Sequence, residues 1–351
     1  MQQTPFVKAG LLAIVIAILA AVSWEIHLRN DDLKISYDDN EALWANKRGM
    51  VYEPADQATI FIGSSRIKYD LDIPTWEALT GTRAIQLANV GSNPVPVLAD
   101  LANDPKFKGK LIVDVTEGLF FSPVASGPND ALTAKKIAYF HNITPTQRFS
   151  FKVDRVLESN FHFLDQDNFS FNAMLDNARL LPPRPEVFPG LFFPIEFDQV
   201  TFERQSYMSP KFLVDTNLQN QVTGIWTMLS KMVLGREIPP AAVDSVLASV
   251  KGFTDKIKAR GGEVLFVRTP SSGPVKMGEG HAFPKEKFWD RLLSTTGCPG
   301  IFYADYPAIS NFVCPEWSHL KPSDAVIYTK NLVKILQEEK GWAFNKKTAK
   351  L

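Results

Sequence analysis

Three side chains in this chain are of types that do chemistry together: Ser65, Glu316 and His319. Gly63-Ser64-Ser65-Arg66 directly follows the apolar run Ala58-Thr59-Ile60-Phe61-Ile62. A β-branched and aromatic run that stops at glycine and small hydroxyl residues predicts a buried strand ending in a tight turn. Such a turn lifts a serine to the carboxyl edge of a sheet, where open α/β proteins bind their ligands. A serine hydroxyl is a poor nucleophile until a base takes its proton, and that base is commonly a histidine oriented by a carboxylate. Far downstream, Glu316-Trp317-Ser318-His319-Leu320 carries a carboxylate three residues before a histidine, so one turn can present both groups on one face. Of the other histidines, His27 is juxtamembrane, and His141, His162 and His281 stand near no motif. The chemistry expected is acyl transfer through Ser65, with His319 as base and Glu316 as orienting acid.

An acyl-transfer site also needs N–H groups aimed at the developing oxyanion. The amide of Ser65 is one candidate. Gly91, in Asn89-Val90-Gly91-Ser92-Asn93, is the other, either as a point of close backbone approach to substrate or as a plain turn glycine. Arg268, in Arg268-Thr269-Pro270-Ser271-Ser272-Gly273-Pro274, is expected at the same edge. It would hold an anionic or polyhydroxyl substrate, or pair with Glu117. Arg66, beside the nucleophile, has the same two readings. No metal-ligand spacing, phosphate loop or dinucleotide fingerprint is present, so no metal or cofactor is expected.

The elements that must position these residues alternate. After the strand at 58–62, Asp72 caps a helix with Pro74 in its first turn and Gly81 as its stop. Strands are expected at Ala84–Ala88 and Lys110–Val115, with a short helix from Pro94 to Asn103 between them. The alternation resumes with an amphipathic helix Val243–Arg260, a strand Glu263–Val267, a helix Lys285–Leu293, a strand Gly300–Ala304 and a helix Ser323–Glu339 capped by Ser323. Strands alternating with helices at this spacing imply a parallel sheet covered on both faces. Residues 122–240 break the pattern. They are rich in Phe and Pro, as in Leu181-Pro182-Pro183-Arg184-Pro185 and Phe188–Pro194, and are expected to form a helical or irregular insertion over the sheet's carboxyl edge.

At the N-terminus, Ala9–Trp24 is uncharged and apolar, preceded by Lys8 and followed by Glu25. With Pro5–Val7 it approaches the ~20 residues that cross a bilayer. Lys8 and the α-amino group favour a cytoplasmic N-terminus with the body outside. A cleaved signal peptide is the alternative, since Ala21-Val22-Ser23 is a passable cleavage site. Both readings export the protein. Residues 1–30 are then the anchor or signal, 31–57 a polar spacer, 58–121 with 241–345 the α/β core, and 122–240 the insertion. An oxidising compartment would allow Cys298 and Cys314 to bridge, tethering the loop that carries His319; two buried free thiols are the alternative. The chain has 351 residues, 45% of them hydrophobic, enough for a substantial core. Lys+Arg 38 against Asp+Glu 38 gives no basic excess, which argues against nucleic acid as a partner.

The strand-Gly-x-Ser start, Gly91 after the second strand, and an acid-x-x-His before the terminal helix resemble the SGNH (GDSL-like) hydrolase family. The resemblance covers about residues 58–121 and 245–340. It implies a flavodoxin-like three-layer fold around a parallel sheet, with Ser65 as nucleophile and first oxyanion donor, Gly91 as second donor, His319 as base and Glu316 as orienting acid. Glu316 departs from the family's usual aspartate. Val115-Thr116-Glu117-Gly118 departs from its usual Gly-x-Asn after the third strand, leaving Thr116 or Glu117 in that place. The anchor, the Gly-Ser-Ser turn and Trp317-Ser318-His319-Leu320 resemble the exported SGNH-like partners of membrane-bound O-acyltransferases. These act in teichoic acid D-alanylation and exopolysaccharide acetylation. That branch implies an inner-membrane protein facing the periplasm or exterior, an O-acetyltransferase or esterase for an exported polysaccharide, with a membrane-bound O-acyltransferase as partner. The contrasting expectation is a non-catalytic envelope scaffold on the same fold, binding glycan or an acyltransferase.

Overall fold

The computed structural model of the chain describes residues 5–30, 34–122, 128–166, 168–177, 193–233 and 237–344. They fall into two compact units, Asp39–Thr144 with Phe192–Leu351 and Met1–Asp38 with Pro145–Leu191.

The larger unit is built on five strands: β1 (Ala58–Ile62), β2 (Arg83–Gln86), β3 (Lys110–Asp114), β6 (Glu263–Arg268) and β7 (Gly300–Phe302). Strands β4 (Gln199–Val200) and β5 (Ser206–Tyr207) form a separate antiparallel ribbon. The main sheet has the order β2-β1-β3-β6-β7, and every neighbouring pair is parallel. All residues of β1 and β3 are buried, as a parallel sheet covered on both faces requires. Strand alternation sorts them into two cores. Ile60, Ile62, Leu111, Val113, Val264 and Phe266 pack under helices Val95–Asn103, Pro240–Ala259 and Trp289–Thr296. Phe61, Ile112, Leu265, Val267 and Ile301 pack under helices Ile73–Thr80 and Pro322–Glu338.

The structure corrects several boundaries. The expected spacer 31–57 contributes helix Glu41–Arg48 to the core unit, capped by Asn40, whose side chain accepts from Ala42 and Leu43 N–H. Trp44 is fully buried there and its indole donates to Leu87 O at 3.0 Å. Arg48, also fully buried, pairs with Asp100 at 2.6 Å and Asp104 at 2.9 Å. Charged residues bury when their partners come from elsewhere in the chain, so composition alone made this stretch look like a spacer. Strand β2 ends at Gln86, two residues early, although Leu87 N–H and Asn89 N–H still donate to Phe61 O and Gly63 O; Arg204 binds the carbonyls of Gln86 and Ala88. Strand β7 ends at Phe302 and gives way to a tight 3-10 turn, Tyr303–Asp305. The last helix starts at Pro322, so Ser323 lies inside its first turn and Lys321 occupies the cap position. The helix expected over 285–293 is a 3-10 turn at Lys285–Lys287 followed by helix Trp289–Thr296.

Cys298 and Cys314 do not bridge; both are free and buried. Cys298 belongs to the core under one face of the sheet and Cys314 to the core under the other. Side chains that enter opposite cores point away from one another, and diverging Cβ vectors cannot be bridged by a disulfide.

The insertion is not one body. Helices Pro128–Asn142, Pro210–Val214 and Thr216–Val233 and the β4–β5 ribbon belong to the larger unit, and helices Pro145–Glu158 and Phe171–Asn177 to the smaller. Leu181–Pro185 and most of Phe188–Pro194 lie outside the described residues. The smaller unit also holds the N-terminal helix Pro5–Arg29, whose residues Phe6–Arg29 are long and apolar enough to cross a membrane.

Candidate active site

The site begins where β1 runs out. A Cβ on Gly63 would lie 2.6 Å from Asp114 Cβ and 2.8 Å from Ile67 Cγ2, so only glycine lets β1 turn this tightly beside β3. Ser64 follows in extended conformation, and its hydroxyl meets Thr116 Oγ1 at 2.8 Å, joining the turns after β1 and β3. Ser65 is the first residue of helix Ser65–Asp70. Its N–H therefore has no intrahelical acceptor and remains a donor at the sheet edge.

The histidine arrives on a loop that is fixed at several points. Cys314 N–H donates to Ser272 Oγ at 3.0 Å, and Ser272 N–H donates to Trp317 O at 2.8 Å. Trp317 has a φ of 78°, uncommon for a bulky residue and costly by roughly 1–3 kcal/mol, so the surrounding contacts must hold it. Leu320 N–H donates to Asp70 Oδ1 at 2.9 Å. Between these anchors the chain turns so that Glu316 and His319 face one another.

His319 Nε2 stands 2.8 Å from Ser65 Oγ, and His319 Nδ1 stands 3.0 Å from Glu316 Oε1. Glu316 is fully buried and His319 1% exposed. The same Glu316 oxygen accepts the backbone N–H of His319 at 2.6 Å and of Ser318 at 3.2 Å, while Oε2 accepts the indole N–H of Trp226. The extra methylene of glutamate over aspartate is absorbed by this fold-back onto its own turn. With Nδ1–H donated to Glu316, Nε2 is the acceptor and faces the serine hydroxyl. The imidazole is walled by aromatic rings, with centroids at 4.5 Å for Tyr69, 5.7 Å for Phe197 and 6.0 Å for Trp226.

No protein-family model matches the chain, and no curated protein matches it. The site is therefore read from its own geometry.

Behind the serine lies a buried charge network. Arg268 Nε meets both Glu117 oxygens at 2.9 Å, its Nη2 meets Glu279 Oε2 at 2.5 Å, and its Nη1 donates to Thr269 O. Arg66 pairs with the other Glu279 oxygen and reaches Ser318 Oγ at 3.4 Å; its Nη1 is buried without a partner among the described residues. Of the two readings open for Arg268, the ion pair with Glu117 is the one formed. That pairing also neutralises the carboxylate in the segment after β3. Burial alone would raise the Glu279 pKa, but Arg268 and Arg66 outweigh it and hold the carboxyl down at about 2. Burial pushes Asp114 up to about 6, only partly offset by Arg66, Arg268 and the Thr269 hydroxyl. Asp70 is raised well above the usual carboxylate range, again chiefly by burial.

Gly91 sits after β2 with a φ of 59°, and a Cβ there would lie 2.5 Å from Asn129 Nδ2. Its turn role is thus explicit. Sequence reasoning missed Tyr69, Phe197 and Trp226 around the imidazole, and Glu279 between the arginines. It also missed Arg204, fully buried with a φ of 65°, which pairs with Asp39 and donates to Asn89 Oδ1 at 3.1 Å. Burial opposes ionisation of Asp39, yet Arg204, Lys68 and Lys136 together hold it far below the usual range. Lys136 also reaches Asn89 Oδ1, at 3.2 Å, while Asn89 Nδ2 is buried without an acceptor among the described residues. None of these carries a local motif. The one available signal was aromatic richness in residues 193–226, which is equally the mark of an ordinary core.

Proposed function

We propose that this protein is a serine acyl-transfer enzyme of the SGNH type, an O-acetyltransferase or esterase acting on an exported cell-envelope polysaccharide. The observation that carries the proposal is the unbroken relay Ser65 Oγ to His319 Nε2 to Glu316 Oε1, at 2.8 Å and 3.0 Å, between residues 254 and 3 positions apart in sequence. The strand order β2-β1-β3-β6-β7 is that of flavodoxin-like sheets and supports the finer fold reading.

In the reaction, Ser65 Oγ attacks the acyl carbonyl while His319 Nε2 takes its proton. The carbonyl electrons move to oxygen, where the Ser65 N–H, with Gly91 as second donor, meets the charge. The imidazolium formed is held by Glu316. Collapse expels the alcohol, which leaves with the proton from Nε2, and Ser65 is acylated. Water or a sugar hydroxyl then attacks the acyl-enzyme by the reverse sequence, giving hydrolysis or transfer. Glu117, tied to Arg268 through both oxygens, does not oppose the oxyanion as a free carboxylate would.

The anchor helix supports an inner-membrane location with the body outside, and hence an envelope polymer as acceptor and a membrane-bound O-acyltransferase as partner. The second reading, a non-catalytic scaffold binding glycan or that acyltransferase, draws on the missing asparagine after β3. Turnover of nitrophenyl acetate decides between them. The expected result is an initial burst and steady hydrolysis that Ser65→Ala abolishes. Hydrolysis unchanged in Ser65→Ala would overturn the enzyme reading.

A further inference from the structure

Among the described residues of the smaller unit, two helices present exposed apolar faces. Helix Pro145–Glu158 carries Phe149, Val153, Val156 and Leu157, all exposed, with Phe149 at 69% and Val156 at 61%. At 3.6 residues per turn these four fall within roughly 100° of arc. Its half-buried aromatic, Phe151, lies on the other side, so packing among the described residues does not use this face. Helix Phe171–Asn177 repeats the arrangement: Ala173 is buried, while Phe171 at 73%, Met174 at 42% and Leu175 at 53% are exposed along one stripe.

The connector between these helices is fastened to the end of the N-terminal helix. Phe163 N–H donates to Glu25 Oε2 at 3.1 Å, Trp24 Nε1 donates to Phe169 O at 3.1 Å, and Arg29 Nη2 donates to Asn160 O at 2.5 Å. Trp24 to Arg29 is where the apolar run gives way to polar residues, the level at which a spanning helix meets lipid headgroups. Both helices therefore leave the connector at that depth. Arg148, Lys152 and Arg155 flank one side of the apolar face of helix Pro145–Glu158, where long basic side chains can reach headgroup phosphates while their stems stay in apolar surroundings.

The geometry points to a lipid surface as the occupant: the exposed faces of helices Pro145–Glu158 and Phe171–Asn177 lie in the headgroup boundary beside the anchor, making this unit a three-element membrane foot. This rests on reading Pro5–Arg29 as a membrane span. A single anchor holds the unit at one point, whereas a foot adds interfacial contacts of its own.

The test uses the full chain in vesicles of phosphatidylethanolamine and phosphatidylglycerol. Variants that each add one exposed cysteine, Phe149→Cys, Val153→Cys, Asp154→Cys and Ile16→Cys, carry an environment-sensitive fluorophore there; Cys298 and Cys314 are buried and stay unlabelled in the native protein. Lipids bearing a nitroxide at a shallow or a deep acyl position quench labels at matching depth. Labels at 149 and 153 are expected to be quenched at least twofold more by the shallow nitroxide than the label at 154, and the label at 16 mainly by the deep one. Equal weak quenching at 149, 153 and 154, with strong deep quenching at 16, would overturn the foot and leave the anchor; the faces would then belong to water or a protein partner. Absence of quenching at all four positions would overturn the anchor reading and the foot with it.

Discussion

Asp70 Oδ1 accepts the backbone N–H of Leu320 at 2.9 Å, so the helix that opens with Ser65 closes on the loop that carries His319. Nucleophile and base are thus tied by a second, independent contact, one helix length behind the reacting atoms. Burial favours the neutral acid form of Asp70. Asp70→Asn retains the shape and an acceptor oxygen, and is expected to keep most stability and turnover. Asp70→Ala leaves the Leu320 N–H buried and unpaired and is expected to cost about 1–3 kcal/mol in urea unfolding, with a fall in kcat. Equal behaviour of the two variants would mean the contact positions nothing.

Glu316→Gln probes the tautomer. A carboxamide can still accept from backbone N–H groups but can also present an NH2 to Nδ1, turning Nε2 into a donor that cannot take the serine proton. Ester turnover is expected to fall by about 10^3- to 10^4-fold with little change in KM. A loss of less than tenfold would show that the acid does not orient His319.

Asp114 makes stability depend on pH in a stated direction. Its pKa is about 6 in the folded protein against 3.8 for the free group. A raised acid pKa stabilises the fold below the unfolded value, and that contribution is lost as pH rises through about 4 to 6. Asp114→Asn is therefore expected to match the parent near pH 4 and to exceed it at pH 8, by at most about 3 kcal/mol. Urea midpoints at the two pH values check this. Stabilisation by the variant at pH 4 alone would reverse the sign and defeat the assignment.

The two cysteines give an expectation about reagents. Burial, with Asp70 and Glu316 nearby, pushes the Cys314 thiol up, and thiolate is the reactive form. Native protein is expected to resist maleimide, to take up two equivalents only after denaturation, and to show no change in Tm with reductant. A non-reducing digest that yields a peptide linking Cys298 to Cys314 would contradict the structure.

Local pattern was enough for the parts of the fold that local physics governs. Ala58–Ile62, with no charge and three β-branched residues, reads as a buried strand ending in a tight turn at Gly63-Ser64-Ser65, and the structure forms both. Glu316 and His319 were legible as a pair because three residues of separation keep them in one turn. Helix Glu41–Arg48 was not legible, since its buried Arg48 is neutralised by Asp100 and Asp104, more than fifty positions away. Nor was Glu279, whose surroundings in sequence give no sign that it bridges Arg66 and Arg268.

Spacing along the chain determined which residue types were candidates: a serine on a strand-ending turn, an acid-x-x-histidine, and an apolar N-terminal run. Distances between segments were decided only by the packed sheet. It brought Ser65 Oγ and His319 Nε2 to 2.8 Å across 254 positions, put Cys298 and Cys314 in different cores, and turned Arg268 onto Glu117. Periodicity and turn chemistry act over a few residues and can be read in order. Pairings across a sheet depend on which face each side chain takes and which strand lies beside it, and those are settled only when the whole core closes.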